Sequence, residues 1–375
     1  MGEHAVTVYV YAHTATGGHL RYTRELADGL AGLNVPTVLV TGSSTVQTKA
    51  DLDANVPGPD VSAQGVRWVF DRIKTYLRQL LFLRRYVRSA QIGRGDVFHF
   101  QELPSLFPGV AIRTLNRSGA RTALTVHNVR PHSGHSLAGR LVSRLHNRQW
   151  RHLDVLIVHS PSLRQELLSR HPTISADRVA VIPHPIWREP EDHLLAASKD
   201  FILFGALRRN KGIEVFIDAL AELGDPPATI AGGTDKGYEL ELGARIVAQG
   251  LANCDLQVGF VEDEAIPSLL SSHRAVVLPY TQFAAQSGVV NQAVACGRPV
   301  VVTDVGALGD LVREYGVGQI ASSSEASDIA DAMRACKAAA DLGQYRDNLA
   351  ALREARSIET IARQHQRAYL GEFDV

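Results

Sequence analysis

The stretch 279–299, PYTQFAAQSGVVNQAVACGRP, combines residue types suited to holding an anion. HRAVVLPY, ending at Tyr280, reads as a buried parallel strand. A loop of small residues follows, and Ser287 stands where it can cap a helix whose apolar body runs from Val289 to Cys296. Gly297 and then Pro299 end that helix. A helix that opens beyond the carboxyl end of a parallel strand presents free backbone N–H groups and a partial positive charge, where an anion gains roughly 0.3–2 kcal/mol. Gly288 lets a ligand come close to the backbone, so a phosphate-bearing ligand is expected; close packing would use the same small residues. Arg208 and Lys211 follow the strand-like FILFG, where cations either neutralise a phosphate or stay solvated. Gly17 and Gly18 follow a strand and precede a helix, so their backbone either approaches a diphosphate or makes a plain tight turn.

The elements that must position these residues alternate along the chain. VTVYVYA, a helix from about Leu20 to Leu33, PTVLVTG, and later VFHFQ, ARTALTVHN and DVLIVHS are short apolar strands separated by helical patterns. Such alternation means a parallel sheet with helices on both faces, a Rossmann-like domain. After VAVIPHPIW, the polar run REPEDHLLAASKD reads as a linker. The pattern restarts with FILFGAL, ATIAGG, LQVGFV, AVVLPY and PVVVTDV. The tail SIETIARQHQRAYL carries apolar residues at Ile358, Ile361, Ala362 and Tyr369, a spacing suited to a helix that returns to the first domain. The expected fold class is α/β, with two Rossmann-like domains facing across a cleft. Residues 1–186 with about 358–375 form the first, and residues 187–357 the second.

A chain of 375 residues with 45% hydrophobic content can bury two cores. No run of about 18 apolar residues offers a membrane span, and the amino terminus lacks the order of a secretion signal, so a cytoplasmic protein is expected. Cys254, Cys296 and Cys336 are odd in number and widely spaced, which suits packing rather than disulfides or zinc. The zero net charge conceals a polarity: residues 1–187 hold 22 Lys and Arg against 12 Asp and Glu, whereas residues 188–375 hold 17 against 27. Complementary domain faces, anionic partners or an anionic membrane would each account for it. No nucleic-acid partner is expected. The basic helix DRIKTYLRQLLFLRRYVRSAQIGRG, with Leu77, Leu80, Leu81, Leu83 and Tyr86 beneath its arginines, either covers the sheet or rests on the inner membrane face as a peripheral contact. Asp51-Leu52-Asp53 reads as part of a polar loop and is assigned no metal.

Four segments, taken in order and spacing, resemble retaining glycosyltransferases of family 4, which have the GT-B architecture. ATGGHLRYTRELADGLAGLNVPTVLVTG is similar to the family's opening Gly-Gly loop, helix and second strand, and LTVHNVRPH to a strand end on the acceptor side. LFGALRRNKGIEVFIDAL resembles the donor-phosphate loop, with Gly205, Arg208 and Lys211; Ala206 stands where the common pattern has Arg. The fourth segment is the QSGV stretch extended by GRPVVVTDVGALGDLV. The resemblance implies a nucleoside-diphosphate sugar as donor and a hydroxyl acceptor on a glycan, lipid or small molecule, with no cofactor. It implies that Gly17, Gly18, the Gln286, Ser287, Gly288 and Val289 amides, and the turn to Val261 hold the nucleotide. It places His127 against the donor sugar, with His132 a candidate acceptor contact. Glu102 would orient an acceptor hydroxyl, or is a surface carboxylate. Ala284 and Gln292 occupy the places of the family's two glutamates, a departure that resembles a QSG branch and leaves the donor sugar open. A catalytically silent GT-B partner subunit and a nucleotide-sugar epimerase are the alternative readings.

Overall fold

Strands buried on both faces need two apolar sides, and the first strands show how this chain supplies them. Val8 and Val10 of β1 (Val8–Ala12) join a core with Leu26 and Leu30, while Tyr9 and Tyr11 join a second core with Phe98 and Phe100. That period of two is what a sheet sandwiched between helix layers requires. In the computed structural model the described residues are 6–13, 17–42, 48–53, 56–57, 65–103, 108–127, 129, 147–186, 197–281, 287–305, 308–341 and 343–373. The chain divides into two compact units, Met1–His184 with Ile358–Val375, and Pro185–Ser357.

The first unit adds β2 (Thr37–Thr41), β3 (Asp51–Asp53), β4 (Val97–Phe100), β5 (Arg121–Thr125), β6 (Val155–Val158) and β7 (Val179–Val181). All pair in parallel, in the order β3-β2-β1-β4-β5-β6-β7, with Val8 opposite Thr37 on one side and Val97 on the other. Helices α1 (Gly17–Gly32), α2 (Gly65–Ser89), α3 (Pro108–Ser118) and α4 (Pro161–Arg170) connect them. Residues of α1 line one core, and residues of α2, α3 and α4 the other.

Three local expectations need correction. Asp51–Asp53 is an edge strand rather than part of a loop, because its backbone pairs with Val38–Val40 while Asp51 and Leu52 face solvent, where polar side chains cost nothing. Gly17 and Gly18 form the first turn of α1, which begins earlier than Leu20. The apolar face expected of α2 also splits. Leu83, Tyr86 and Val87 are buried, but Leu77 and Leu81 are 55% and 53% exposed beside Lys74, Arg78, Arg84, Arg85 and Arg88.

The second unit has β8 (Lys199–Phe204), β9 (Ala228–Gly232), β10 (Cys254–Val258), β11 (His273–Leu278), β12 (Val300–Thr303) and β13 (Gly318–Ala321), all parallel, in the order β10-β9-β8-β11-β12-β13. Its helices are α5 (Ile213–Glu222), α6 (Tyr238–Ala248), α7 (Ile266–Ser271), α8 (Gly288–Ala295), α9 (Leu308–Tyr315), α10 (Ala326–Asp341) and α11 (Arg346–Ala355). Finally α12 (Ile358–Leu370) returns to the first unit and packs on α1. A Cβ at Gly29 would lie 3.0 Å from Ile358 Cγ1 and 3.1 Å from Ala362 Cβ, so the two helices meet where a side chain is missing. None of the three cysteines forms a disulfide, and Cys296 and Cys336 are buried. Among the described residues no helix is long and apolar enough to cross a membrane.

Both sheets reverse their strand order once, at β1/β4 and at β8/β11. In open parallel sheets a ligand crevice forms beyond the carboxyl ends of the strands at such a reversal. The segments that follow β1, β4, β8 and β11 are therefore where a site must be sought.

Candidate functional site

In the second unit, the segment after β8 is locked to its neighbours by two glycines. Gly205 takes φ 115°, donates its N–H to Ala231 O at 3.0 Å, and has no room to spare: a Cβ there would lie 3.3 Å from Val289 Cγ2. Gly212 takes φ 68°, and a Cβ would collide with the Pro279 carbonyl. The Thr281 N–H donates to Asn210 O at 3.2 Å. The ends of β8 and β11 are thus clamped together, and the single 3-10 turn Arg209–Lys211 lies in the clamp.

Three cations in this turn have different fates. Arg209 is spent locally, 2.6 Å from Glu241 and 3.5 Å from Glu214, with its guanidinium 4.7 Å from the Tyr238 ring centre. The Arg208 side chain is exposed and bonds to no described group, while its carbonyl accepts from the Lys211 N–H at 2.8 Å. The Lys211 ammonium stands 3.7 Å from the centre of the Tyr280 ring. Burial, and then the charge of Arg208, push the Lys211 pKa down to about 8. Negative charge placed beside these two cations would offset both the burial and their mutual repulsion, so the pair suits an anion.

The α8 helix supplies the other half of an anion site. Ser287 occupies its N-cap position with φ −98°, but its side chain caps nothing; Oγ lies 3.0 Å from the Tyr280 hydroxyl instead. The amides of Gly288 and Val289 donate to no described group, and a Cβ at Gly288 would meet no described atom within 4 Å. The helix closes as expected, with Gly297 N–H on Val294 O and Arg298 N–H on Ala293 O. Gln292 is half-buried on α8 and its side chain bonds to no described group, while neighbouring Asn291 is 2% exposed with its Nδ2 unsatisfied. Val261 is half-buried against the core just past the edge strand β10, where Gly259 N–H reaches Gly232 O at 3.1 Å. Gln286 and Ala284 lie outside the described residues. The structure therefore brings Gly205, Arg208, Lys211, Ser287, Gly288 and Val289 to one strand reversal, with Tyr280 at their centre. Tyr280 had been read only as the end of a strand; its aromatic ring beside a small-residue loop was the available signal.

The first unit gathers histidines at its own reversal. Glu102, two residues past β4, is 3.2 Å from His13 and 3.9 Å from His19, so it is half-buried between imidazoles rather than a free surface carboxylate. Gly17 and Gly18 open α1 two residues before His19. His127, two residues past β5, places Nδ1 3.2 Å from His159 Nε2 and lies edge-on to His19 and Tyr22, at ring separations of 4.6 and 5.5 Å. Burial and the surrounding histidines hold the His127 pKa well below the usual imidazole value. Tyr22 also faces His159 and His184, and its hydroxyl is 3.2 Å from His365 Nε2 on α12. His132 lies outside the described residues. Sequence reading missed His159 and His184, although neighbouring strands β5, β6 and β7 are each followed within three residues by a histidine. Among the described residues no cluster of three or more His, Cys, Asp or Glu side chains is arranged to hold a metal ion.

Comparison with known proteins gives this geometry a family. Residues 16–188 match the family model described as Glycosyltransferase Family 4, and residues 198–338 match that described as Glycosyl transferases group 1. The D-inositol 3-phosphate glycosyltransferase of Paenarthrobacter aurescens (strain TC1) is 28% identical over 84% of this chain and 83% of its own length. In fold the chain is similar to sucrose-phosphate synthase from Thermosynechococcus elongatus, with a TM-score of 0.71, 19% identity and coverage of 97% and 98% of the two chains. It is also similar to HepE from Anabaena, solved in complex with UDP, with a TM-score of 0.67, 17% identity and coverage of 96% and 98%. With two parallel-sheet units, a loop clamped by glycines at the carboxyl end of β8 and matches that together run through most of its length, the chain belongs to glycosyltransferase family 4 and is a glycosyltransferase of the GT-B fold.

Proposed function

We propose that this enzyme is a retaining glycosyltransferase that moves a sugar from a nucleoside-diphosphate sugar to a hydroxyl acceptor. The observation that carries the reading is the half-buried Lys211 ammonium, set on Tyr280 beside the exposed Arg208 at the β8/β11 reversal. In this reading the diphosphate lies against Arg208, Lys211 and the Gly288 and Val289 amides, while the turn to Val261 and the side chain of Gln292 hold the nucleoside. Gln292, neutral where family relatives often have a carboxylate, contributes roughly 0.5–1.5 kcal/mol to a ribose contact. The same reading assigns His127 of the first unit to the donor sugar, as the family resemblance implies. As the bond from the anomeric carbon to the phosphate oxygen breaks, the negative charge that develops on the diphosphate meets two cations and a helix N-terminus already in place. The acceptor hydroxyl approaches the face the diphosphate leaves, forms the new glycosidic bond and passes its proton to the departing phosphate oxygen. HepE binds UDP on a similar fold, which favours a nucleotide donor here.

A panel of nucleotide sugars assayed for transfer, with the anomeric configuration of the product read by NMR, tests this. One donor class is expected to give a product that keeps its configuration, in excess chelator as well as without it. An inverted product would sink the retaining assignment, and no calorimetric binding of any nucleoside diphosphate would sink the donor site.

The exposed face of α2 carries the proposed peripheral membrane contact, since five cations surround Leu77 and Leu81 there. Each cation near an anionic leaflet contributes about 1 kcal/mol, screened by salt. The protein should co-sediment with vesicles containing phosphatidylglycerol at low salt, and an Arg78, Arg84, Arg85 and Arg88 to Ala variant should stay in the supernatant. Equal binding to neutral phosphatidylcholine vesicles would refute the electrostatic contact.

A further inference from the structure

His127 has two ring nitrogens, and only one of them is accounted for. Nδ1 pairs with His159 Nε2 at 3.2 Å, whereas Nε2 is buried and has no hydrogen-bond partner among the described residues. The proton positions follow from the next bond in the chain. His159 Nδ1 lies 3.0 Å from the Ile182 carbonyl oxygen, which can only accept, so Nδ1 of His159 carries its proton. A neutral His159 then has a bare Nε2, and the contact with His127 requires His127 Nδ1 to be the donor. His127 Nε2 is left with a lone pair and no proton. Protonating the ring instead is opposed by its burial and by His159, His19, His184 and His99 around it. An unsatisfied acceptor buried in a protein is costly to keep, and such groups are retained where a ligand completes them.

We propose that His159 is a positioning residue for sugar transfer: anchored on the Ile182 carbonyl, it fixes His127 in the Nδ1–H tautomer so that Nε2 accepts a hydrogen bond from a hydroxyl of the donor sugar. This rests on the reading of His127 as the group that meets that sugar. The anchor is backbone at the carboxyl end of β7, on a segment whose Ile182 N–H is itself bonded to Val158 O at 2.8 Å, so the sheet sets the orientation of His159 and through it that of His127. The ligand is defined by its chemistry. It must present an O–H donor, which a sugar hydroxyl offers and a fully ionised phosphate does not.

The test has two readouts. Two-bond 1H–15N spectra of the full chain labelled at histidine should show His127 protonated at Nδ1 and bare at Nε2. In His159→Phe, which removes the acceptor, His127 should populate the Nε2–H tautomer. In His159→Gln, whose side-chain oxygen can accept the same proton, the original tautomer should return. With the nucleotide sugar that the donor panel identifies, His159→Phe should lose about tenfold or more in kcat/KM, and His159→Gln should recover to within about threefold of wild type. The affinity for free UDP or GDP, which lack the sugar, should not move in either variant. Nε2–H in the wild type would overturn the proposal whatever the donor. The expected tautomers with unchanged transfer would overturn its ligand half. If no nucleotide sugar were turned over at all, the donor reading would fall while the spectra still decided the link from His159 to His127.

Discussion

A Lys211→Ala variant is expected to lose sugar transfer, with kcat/KM falling by about 100-fold or more, while its thermal midpoint stays close to wild type. Lys211 is held by Gly212 in a left-handed conformation against the Pro279 carbonyl and by the Tyr280 ring beneath its ammonium, so its charge is fixed rather than swinging in solvent. Hydrogen bonds to a charged group contribute about 1.5–3 kcal/mol, and a preorganised group that meets charge developing in the transition state contributes about 10²–10³ in rate. The Glu214 and Glu241 carboxylates beside this turn are paired with Arg209 and keep that partner in the variant. The pH dependence follows from the depressed pKa of about 8. Below it the ammonium is charged and the site binds an anion; as pH rises through about 8 the charge is lost, and donor affinity should fall by up to about tenfold per unit. A Lys211→Arg variant, charged throughout this range, should have a flatter profile above pH 8 even if its turnover is lower. Wild-type kinetics in Lys211→Ala would mean that the phosphate site lies elsewhere.

Much of this architecture was legible because a parallel sheet writes itself into sequence as apolar runs. VLIV, TALT and VVVT are buried along their whole length, and their order restarts where the second unit begins. The Asp51–Asp53 strand was not legible, since at a sheet edge the backbone ladder decides and the side chains are free to be polar. The split face of α2 failed for a related reason. A leucine count records hydrophobicity but not the angle, and Thr75 and Gln79 fill the buried stripe where apolar residues were expected. At the phosphate site, glycines and cations within ten residues of one another could be read locally. The imidazole pair could not: His127 and His159 are 32 positions apart and meet only because β5 and β6 are neighbours. Likewise the Ser287 hydroxyl, read as a helix cap, is diverted to Tyr280, a side-chain competition that propensity cannot foresee.

Gly288→Val should weaken nucleotide binding severely without unfolding the protein, and it separates the two meanings that the QSGV stretch carries in the sequence. If the small residues serve close packing, a larger side chain must clash and destabilise. The structure predicts otherwise, because among the described residues a Cβ at Gly288 meets nothing within 4 Å, and this glycine is not among those with positive φ. A valine there would stand over the Gly288 and Val289 amides and keep a phosphate from reaching them. The expected result is a rise of about 100-fold or more in the Kd for UDP and GDP, with a thermal midpoint within a few degrees of wild type. Gly205→Val provides the contrast. Its φ of 115° and the 3.3 Å approach of Val289 make that glycine structural, and the variant should lose stability as well as binding. Combined with Lys211→Ala, Gly288→Val should cost less than the sum of the two separate losses, because both act on the same bound phosphate and neighbouring sites that share a ligand are not additive. Additive losses would place the anion held by Lys211 and the one held by the α8 amides at separate sites, and undiminished binding in Gly288→Val would remove α8 from the donor site altogether.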